Sequence, residues 1–263
     1  MTSRFTLLKR ASHIKRRWKD NRLAPINQYA SDYYLVEFPK SGVTWLSVLI
    51  ANMLGCEDET SDHATFSSIG RYVHDLHLGR NVQAEPIGRS QIRLYKSHGL
   101  CNRNYRKVIY IARHPADVLS SYFHFTMSLQ KNNMTLEEFC ATPTLGIEAW
   151  RNHVRSWLSN SLNSNSYILH LIRYEDLITK PTTELRNLCK NFGWNVPDER
   201  IGNAVALAQR QSMTEQENLY RAHNPNHGMT FVRKEQRQAM NAKLRQHIVD
   251  QTRDELTLLG YEN

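Results

Sequence analysis

The segment Phe38–Trp45, with the sequence FPKSGVTW, has the composition of an anion-binding turn. Lys40 offers a positive charge, and Ser41 and Thr44 offer hydroxyl donors on either side of Gly42. When such a turn joins a strand to a helix, backbone N–H groups and the positive end of the helix dipole face outward and bind phosphate or sulfate. The segment differs from the GxxxxGKS/T pattern, because its lysine precedes the glycine. An ordinary strand–helix turn with one lysine is the alternative interpretation.

Two further segments carry side chains that bind or react with an anionic group. Arg113 ends a strand-like stretch, and Ser121 lies two turns into the helical pattern after it, so both can contact one anion. Lys96 and His98 are two residues apart in extended chain and therefore point to the same side. A neutral imidazole in such a place accepts the proton of an alcohol. The alternatives are a surface arginine and a solvated loop histidine, since the chain has 12 histidines.

These segments follow stretches that predict a parallel sheet. Short runs rich in β-branched and aromatic residues alternate with helical patterns, which is typical of an α/β fold with helices on both faces of the sheet. In such folds ligands bind beyond the carboxyl ends of the strands. The predicted strands are Tyr33–Phe38, Gln91–Tyr95, Lys107–Ala112 and Tyr167–Ile172. The predicted helices are Thr44–Leu54, Pro115–Leu129, Glu148–Leu158, Pro181–Phe192 and Glu235–Leu259.

The charge of the chain is distributed unevenly. The net charge is +9 over 263 residues, but residues 1–22 alone contain eight Lys or Arg and one Asp. We therefore expect a basic N-terminal arm over residues 1–27 and a single domain over residues 28–263. Because the domain is almost neutral, its charge does not favour nucleic acid as a partner. A hydrophobic content of 40%, with 11 Gly and 8 Pro, excludes collagen-like and wholly disordered classes.

Membrane, secretion and metal signals are weak in this sequence. It contains no run of about 18 apolar residues, so we expect no membrane span. Lysines and arginines are spread through the N-terminal segment, so it lacks the apolar region of a secretory signal. Its basic, acid-poor composition is compatible with a mitochondrial-type presequence. Four separated cysteines without a CxxC pair indicate a reducing compartment, and we expect a cytoplasmic protein. His63, His74, His77 and Asp75 do not match metal-ligand spacing, so no metal is expected.

Five collinear segments resemble motifs of the cytosolic sulfotransferases. FPKSGVTWL resembles the 5′-phosphosulfate loop YPKSGTTW, and RHPADVLSSYFHF resembles the 3′-phosphate motif. KSHGL is similar to the catalytic segment KTHLP, RYEDL to the YEDM motif, and FVRK to the start of FxRKG. The order holds from about residue 33 to residue 235. The resemblance implies a single-domain α/β fold with a central parallel sheet and a P-loop-like strand–loop–helix.

The resemblance also implies a reaction and the residues that perform it. The family moves a sulfuryl group from 3′-phosphoadenosine 5′-phosphosulfate (PAPS) to a hydroxyl or amine, leaving 3′-phosphoadenosine 5′-phosphate (PAP). By this resemblance His98 is the general base, Lys96 contacts the sulfuryl oxygens, and Lys40 contacts the bridging oxygen. The implied PAPS-binding residues are Lys40, Ser41, Gly42, Val43, Thr44, Trp45, Arg113, Ser121, Tyr174, Arg233 and Lys234.

Three positions depart from the family motifs. Val43 stands where threonine is usual, Gly99 where leucine follows the histidine, and Glu235 where glycine follows Arg-Lys. Val43 removes one hydroxyl from the loop, and Glu235 places a carboxylate near the expected 3′-phosphate. The dimerisation motif of the family is not recognisable, so no oligomeric state is assigned.

Two other function classes remain open at this stage. A nucleotide-dependent small-molecule kinase would need a GKS/T loop and an acidic magnesium ligand, and a non-catalytic anion-binding module would act through the basic arm. We expect a small-molecule acceptor, namely a phenol, an alcohol or an amine, natural products included. The acceptor loops do not identify it further.

Overall fold

The computed structural model describes residues 24–25, 27–55, 63–78, 83–129, 134–161, 167–209, 214–215, 218, 222 and 240–261. The basic arm up to residue 23 lies outside these residues, as do Arg233, Lys234 and Glu235. The roles and the domain boundary assigned there therefore stay predictions.

Five parallel strands form one sheet in the order β2-β3-β1-β4-β5. Their bounds are β1 Asp32–Glu37, β2 Val73–Asp75, β3 Arg93–Ser97, β4 Lys107–Ala112 and β5 Ile168–Arg173. In the register, Val36 lies opposite Ser97, Glu37 opposite Ile111, and Ala112 opposite Arg173. The residues that follow β1, β3, β4 and β5 therefore emerge at one edge of the sheet.

Helices cover both faces of this sheet. Along β1 the side chains alternate, so that Tyr33 and Leu35 belong to one apolar core and Tyr34 and Val36 to the other. The first core includes residues of α1, α5, α6 and α7, and the second includes residues of α2, α3, α4 and α8. Within the described residues the α-helices are α1 Val43–Gly55, α2 Pro115–Leu129, α3 Leu136–Ala141, α4 Ile147–Ser161, α5 Tyr174–Thr179, α6 Pro181–Phe192, α7 Asp198–Leu207, α8 Ala242–Gln251 and α9 Arg253–Leu258. No helix in the described part of the chain is both long and apolar enough to span a bilayer.

The structure confirms the α/β class and the four predicted strands. The bounds of β4, α2 and α6 are as predicted, and the other strands are displaced by one or two residues. The strand β3 begins only at Arg93 because Gln91 adopts a left-handed backbone with φ of 57°. The sequence analysis did not predict β2, α3, α5 and α7, which are short or weakly periodic.

The prediction of one helix over Glu235–Leu259 is wrong. Its described part forms α8 and α9, which meet at Thr252, where φ of −119° leaves the helical region. The break places the fully buried Glu255 of α9 against Arg151 and Arg155 of α4. A buried carboxylate requires such partners, and this tertiary contact decides where the helix ends.

Candidate active site

The turn between β1 and α1 is compact and contains two left-handed residues. Lys40 has φ of 78° and Gly42 has φ of 115°. Ser41 is fully buried, and its Oγ donates to the carbonyl oxygen of Phe38 at 2.8 Å. A lysine rarely adopts positive φ, because its Cβ crowds the backbone, and such strain is typical of functional sites.

The first turn of α1 presents backbone donors next to a buried carboxylate. Val43, Thr44 and Trp45 lie in this turn, where N–H groups lack intrahelical acceptors. The Val43 N–H donates to Glu37 Oε2 at 2.9 Å, and the Lys40 N–H donates to Glu37 Oε1 at 3.3 Å. A carboxyl group of the protein thus already binds at the positive end of the helix dipole.

Gly42 packs directly against the ring of Tyr174, the first residue of α5. A Cβ at position 42 would lie 2.5 Å from Cδ2 and 2.7 Å from Cε2 of this ring. The ring has little freedom to move, since Arg113 stacks on it and Trp45 packs edge-on against it, with the ring centroids 6.1 Å apart. The approach of the loop to Tyr174 therefore requires glycine.

We expect Gly42→Ala to destabilise the fold by about 1–3 kcal/mol, through left-handed strain and overpacking against Tyr174. Urea unfolding should show a lower midpoint with an unchanged slope. Gly202→Ala on α7 is the matched control, because a Cβ there meets nothing within 4 Å. Alanine has a higher helix propensity than glycine, by up to about 1 kcal/mol, so the urea midpoint of Gly202→Ala should rise. A wild-type midpoint for Gly42→Ala would contradict the packing argument.

Arg113 follows β4 and joins the loop to Tyr174. Its guanidinium carbon lies 4.5 Å from the centroid of the Tyr174 ring, and Nη1 donates to the carbonyl oxygen of Lys40 at 3.4 Å. Its Nε is buried and has no hydrogen-bond partner among the described residues. Ser121 lies two turns into the following helix and is 3% exposed. Sequence-predicted residues from three strand ends thus meet at this place.

His98 follows β3 and is 5% exposed. Its Nδ1 lies 3.5 Å from Oε1 of Glu37. Its backbone N–H donates to Nε2 of His77 at 2.8 Å, and the two imidazole rings stack with centroids 5.4 Å apart. The histidine is therefore held through its backbone on one side and faces a carboxylate on the other.

Lys96 extends from β3 next to the same site. Its Nζ lies 3.4 Å from Oδ2 of Asp75, and β2 places Asp75 directly opposite Lys96 in the sheet. Asp75 also accepts the His77 N–H, at 2.9 Å. Asp75 and His77 therefore orient Lys96 and His98. Within the described ranges, no three His, Cys, Asp or Glu side chains are grouped so that they could hold a metal ion.

Burial and charge act in opposite directions on Glu37. Desolvation is the larger effect and raises the pKa of its carboxyl, although the charge of Lys96, the Val43 amide and the charge of Lys40 act in the opposite direction. Burial also lowers the pKa of His153 to about 3. His153 is therefore neutral at physiological pH. The Nδ1 atom of His153 contacts the Tyr110 hydroxyl at 2.9 Å.

The sequence family described as a sulfotransferase domain matches residues 30–258, which is most of the chain. The chain belongs to this family. The 3-beta-hydroxysteroid sulfotransferase of Cavia porcellus is 27% identical to this sulfotransferase over 220 residues, or 77% of this chain and 74% of the relative. The amine sulfotransferase of Oryctolagus cuniculus is 24% identical over 197 residues, or 69% of this chain and 62% of the relative.

A solved structure shows the same fold as this sulfotransferase. It is a mouse sulfotransferase in complex with PAP, with a TM-score of 0.59 and 17% identity. The match covers 90% of this chain and 91% of the mouse chain. The predicted P-loop-like architecture is thereby confirmed.

Sequence analysis of this sulfotransferase missed the roles of Glu37, Asp75 and His77 at the site. From the sequence, Asp75 and His77 do not match metal-ligand spacing and fit a solvated loop near an acceptor pocket. Glu37 carried a signal, since it is a charged residue in the buried run YYLVEF, directly before the loop. Lys and Glu are almost never fully buried without a partner, so a glutamate in a central strand indicates one.

Proposed function

We propose that this protein transfers a sulfuryl group from PAPS to a hydroxyl or amine of a small-molecule acceptor. The observation that carries the proposal is the convergence of Lys40, Arg113 and His98 at one sheet edge, around the N-terminus of α1. Transfer of this kind requires positioning and neutralisation of charge, as phosphoryl transfer does. Lysines, an arginine and a helix N-terminus supply both.

The residues present fit the anionic groups of PAPS. Arg113 has a buried Nε that no described residue binds, which is a site for a phosphate oxygen. Gly42 has no side chain, so the loop packs directly against the ring of Tyr174, where a Cβ would lie 2.5 Å from Cδ2. In this proposal Arg113 and Ser121 hold the 3′-phosphate, joined by Arg233 and Lys234, and Trp45 and Tyr174 contact the adenine.

Three side chains act at the transfer itself. When bound, PAPS supplies the sulfuryl group and the phosphate that keeps the bridging oxygen. Lys40 Nζ stabilises negative charge at that oxygen, and Lys96 Nζ stabilises the sulfuryl oxygens. His98 accepts the proton of the acceptor. The loop residues Ser41, Gly42, Val43 and Thr44 surround the 5′-phosphosulfate of PAPS.

The acceptor we propose is a phenol, an alcohol or an amine. The names of two relatives, a hydroxysteroid sulfotransferase and an amine sulfotransferase, support a small hydroxyl or amine compound. We also propose that the protein acts in the cytosol, since a relative from Arabidopsis thaliana is named a cytosolic sulfotransferase.

Calorimetric titration with PAP, followed by turnover of labelled PAPS with phenols, alcohols and amines, tests this function. Arg113→Ala should raise the Kd for PAP about 10–100-fold, because hydrogen bonds to charged groups contribute about 1.5–3 kcal/mol each. Arg253→Ala is the control, since this arginine is 64% exposed and pairs with Asp250 on the surface. If wild-type protein binds no PAP and turns over no PAPS, the proposed function is wrong.

A further inference from the structure

Glu37 is a buried carboxylate at the end of the central strand β1. It is 4% exposed. Removing a carboxylate from water is strongly unfavourable unless hydrogen bonds and opposite charges compensate for it. The contacts that compensate for this burial therefore indicate what the residue does.

The contacts of Glu37 connect the two halves of the site. Oε2 accepts the Val43 N–H at 2.9 Å, and Oε1 accepts the Lys40 N–H at 3.3 Å. The same Oε1 lies 3.5 Å from Nδ1 of His98. One carboxylate thus contacts the phosphosulfate loop that follows its own strand and the histidine that follows the neighbouring strand β3.

Each carboxyl oxygen of Glu37 accepts a backbone N–H, so both act as acceptors, and an acceptor oxygen favours a proton on the imidazole nitrogen that faces it. A neutral imidazole carries one ring proton, and a proton on Nδ1 leaves the Nε2 lone pair available. The distance of 3.5 Å exceeds that of an ordinary N–H···O hydrogen bond, and catalytic contacts are often this long without substrate.

We propose that Glu37 is a positioning residue that holds His98 as the Nδ1-protonated tautomer and orients its Nε2 towards the acceptor. This inference rests on the proposed function, in which His98 is the base. His77 assists from the other side, because its Nε2 accepts the backbone N–H of His98. The loop amides fix the carboxylate, and the carboxylate fixes the ring.

The proton balance of the transfer explains why a carboxylate is useful there. The acceptor O–H gives its proton to Nε2 of His98 as the acceptor oxygen bonds to sulfur. The bond from sulfur to the bridging oxygen breaks, and the leaving phosphate keeps the electron pair. His98 then carries two ring protons and a positive charge, which the carboxylate of Glu37 stabilises until the proton passes to solvent.

The test is Glu37→Gln, which keeps the shape of the side chain but replaces one oxygen acceptor with an amide NH2 donor. The remaining carbonyl oxygen should take the place of Oε2, which accepts the shorter hydrogen bond, from the Val43 N–H at 2.9 Å. The NH2 group then faces His98 Nδ1 and cannot accept a hydrogen bond from it, so the ring proton should move to Nε2. We expect kcat to fall about 10–100-fold, and the Kd for PAP to stay within about threefold or to decrease, because a negative charge leaves the loop. Imidazole ¹⁵N chemical shifts, assigned with a His98→Asn variant, report the tautomer without turnover.

Asp32→Asn is the matched control for this test. Asp32 lies at the other end of β1, is 2% exposed, and accepts the Tyr29 N–H at 2.8 Å. Its replacement also removes a buried carboxylate, but kcat and the His98 tautomer should not change. If Glu37→Gln lowers only stability and leaves tautomer and kcat as in wild type, Glu37 has no positioning role.

The wild-type spectrum decides the question even if Glu37→Gln does not fold. An Nε2-protonated His98 at neutral pH overturns the positioning role, whereas an Nδ1-protonated ring supports it. Wild-type turnover of PAPS together with an Nε2-protonated ring would contradict this inference and leave the proposed function intact. Absence of both PAP binding and turnover would contradict the proposed function itself.

Discussion

His98→Ala is expected to lower kcat for sulfuryl transfer about 10²–10⁴-fold, which is the contribution of a positioned general base. The alcohol proton then has no acceptor on the protein, although PAPS and the charged side chains around it remain in place. The Kd for PAP should change only a few-fold, because the imidazole contacts Glu37 and His77 in the described structure. Single-turnover kinetics with saturating acceptor measures the chemical step, and calorimetry measures PAP binding.

His247→Ala is the control for this prediction. His247 is exposed on α8, so its removal should leave kcat unchanged. Normal turnover by His98→Ala would show that another group accepts the proton. That result would remove the assigned base but would leave sulfuryl transfer from PAPS as the reaction.

Lys40→Met is expected to lower kcat about 10²–10³-fold, since one charged donor aimed at a developing negative charge contributes about this much. The ammonium lies 4.7 Å from the centroid of the Phe125 ring, and its backbone has φ of 78°. Methionine keeps most of the apolar stem but removes the charge. Rapid-quench measurement of labelled PAPS consumption gives the rate, and PAP titration shows whether binding is retained.

Lys40→Gly separates the charge of Lys40 from the backbone strain of the loop. Glycine adopts positive φ without steric cost, so this variant should be as stable as the wild type or more stable by about 1 kcal/mol. Its kcat should nevertheless be as low as that of Lys40→Met. Activity retained in both variants would show that the loop acts through its amides alone.

Local patterns explain why much of the fold was predictable. The strand Lys107–Ala112 and the helices Pro115–Leu129 and Pro181–Phe192 have the predicted bounds, because each has a short apolar run or a proline in its first turn. The break at Thr252 was missed because it depends on burial of Glu255 against α4. Helical propensity does not report contacts between distant segments.

The candidate site divides in the same way. Lys40, Arg113 and His98 were identified from motifs because each lies in a short segment of characteristic composition after a strand. Glu37, Asp75 and His77 were not, because their roles depend on partners elsewhere in the chain. A glutamate in an apolar strand indicates that it has a partner, but only the neighbouring strand shows which residue that partner is.

The sequence by itself determined the α/β class, the tight turn around Gly42 between a strand and a helix, and the concentration of positive charge in the first 22 residues. These follow from composition, periodicity and the conformational preferences of glycine and proline, all of which act over a few residues. Only the tertiary structure decided that Glu37 meets His98 and that Arg113 stacks on Tyr174. The parallel register of β1, β3, β4 and β5 aligns their carboxyl ends, and this alignment brings residues from distant segments within contact.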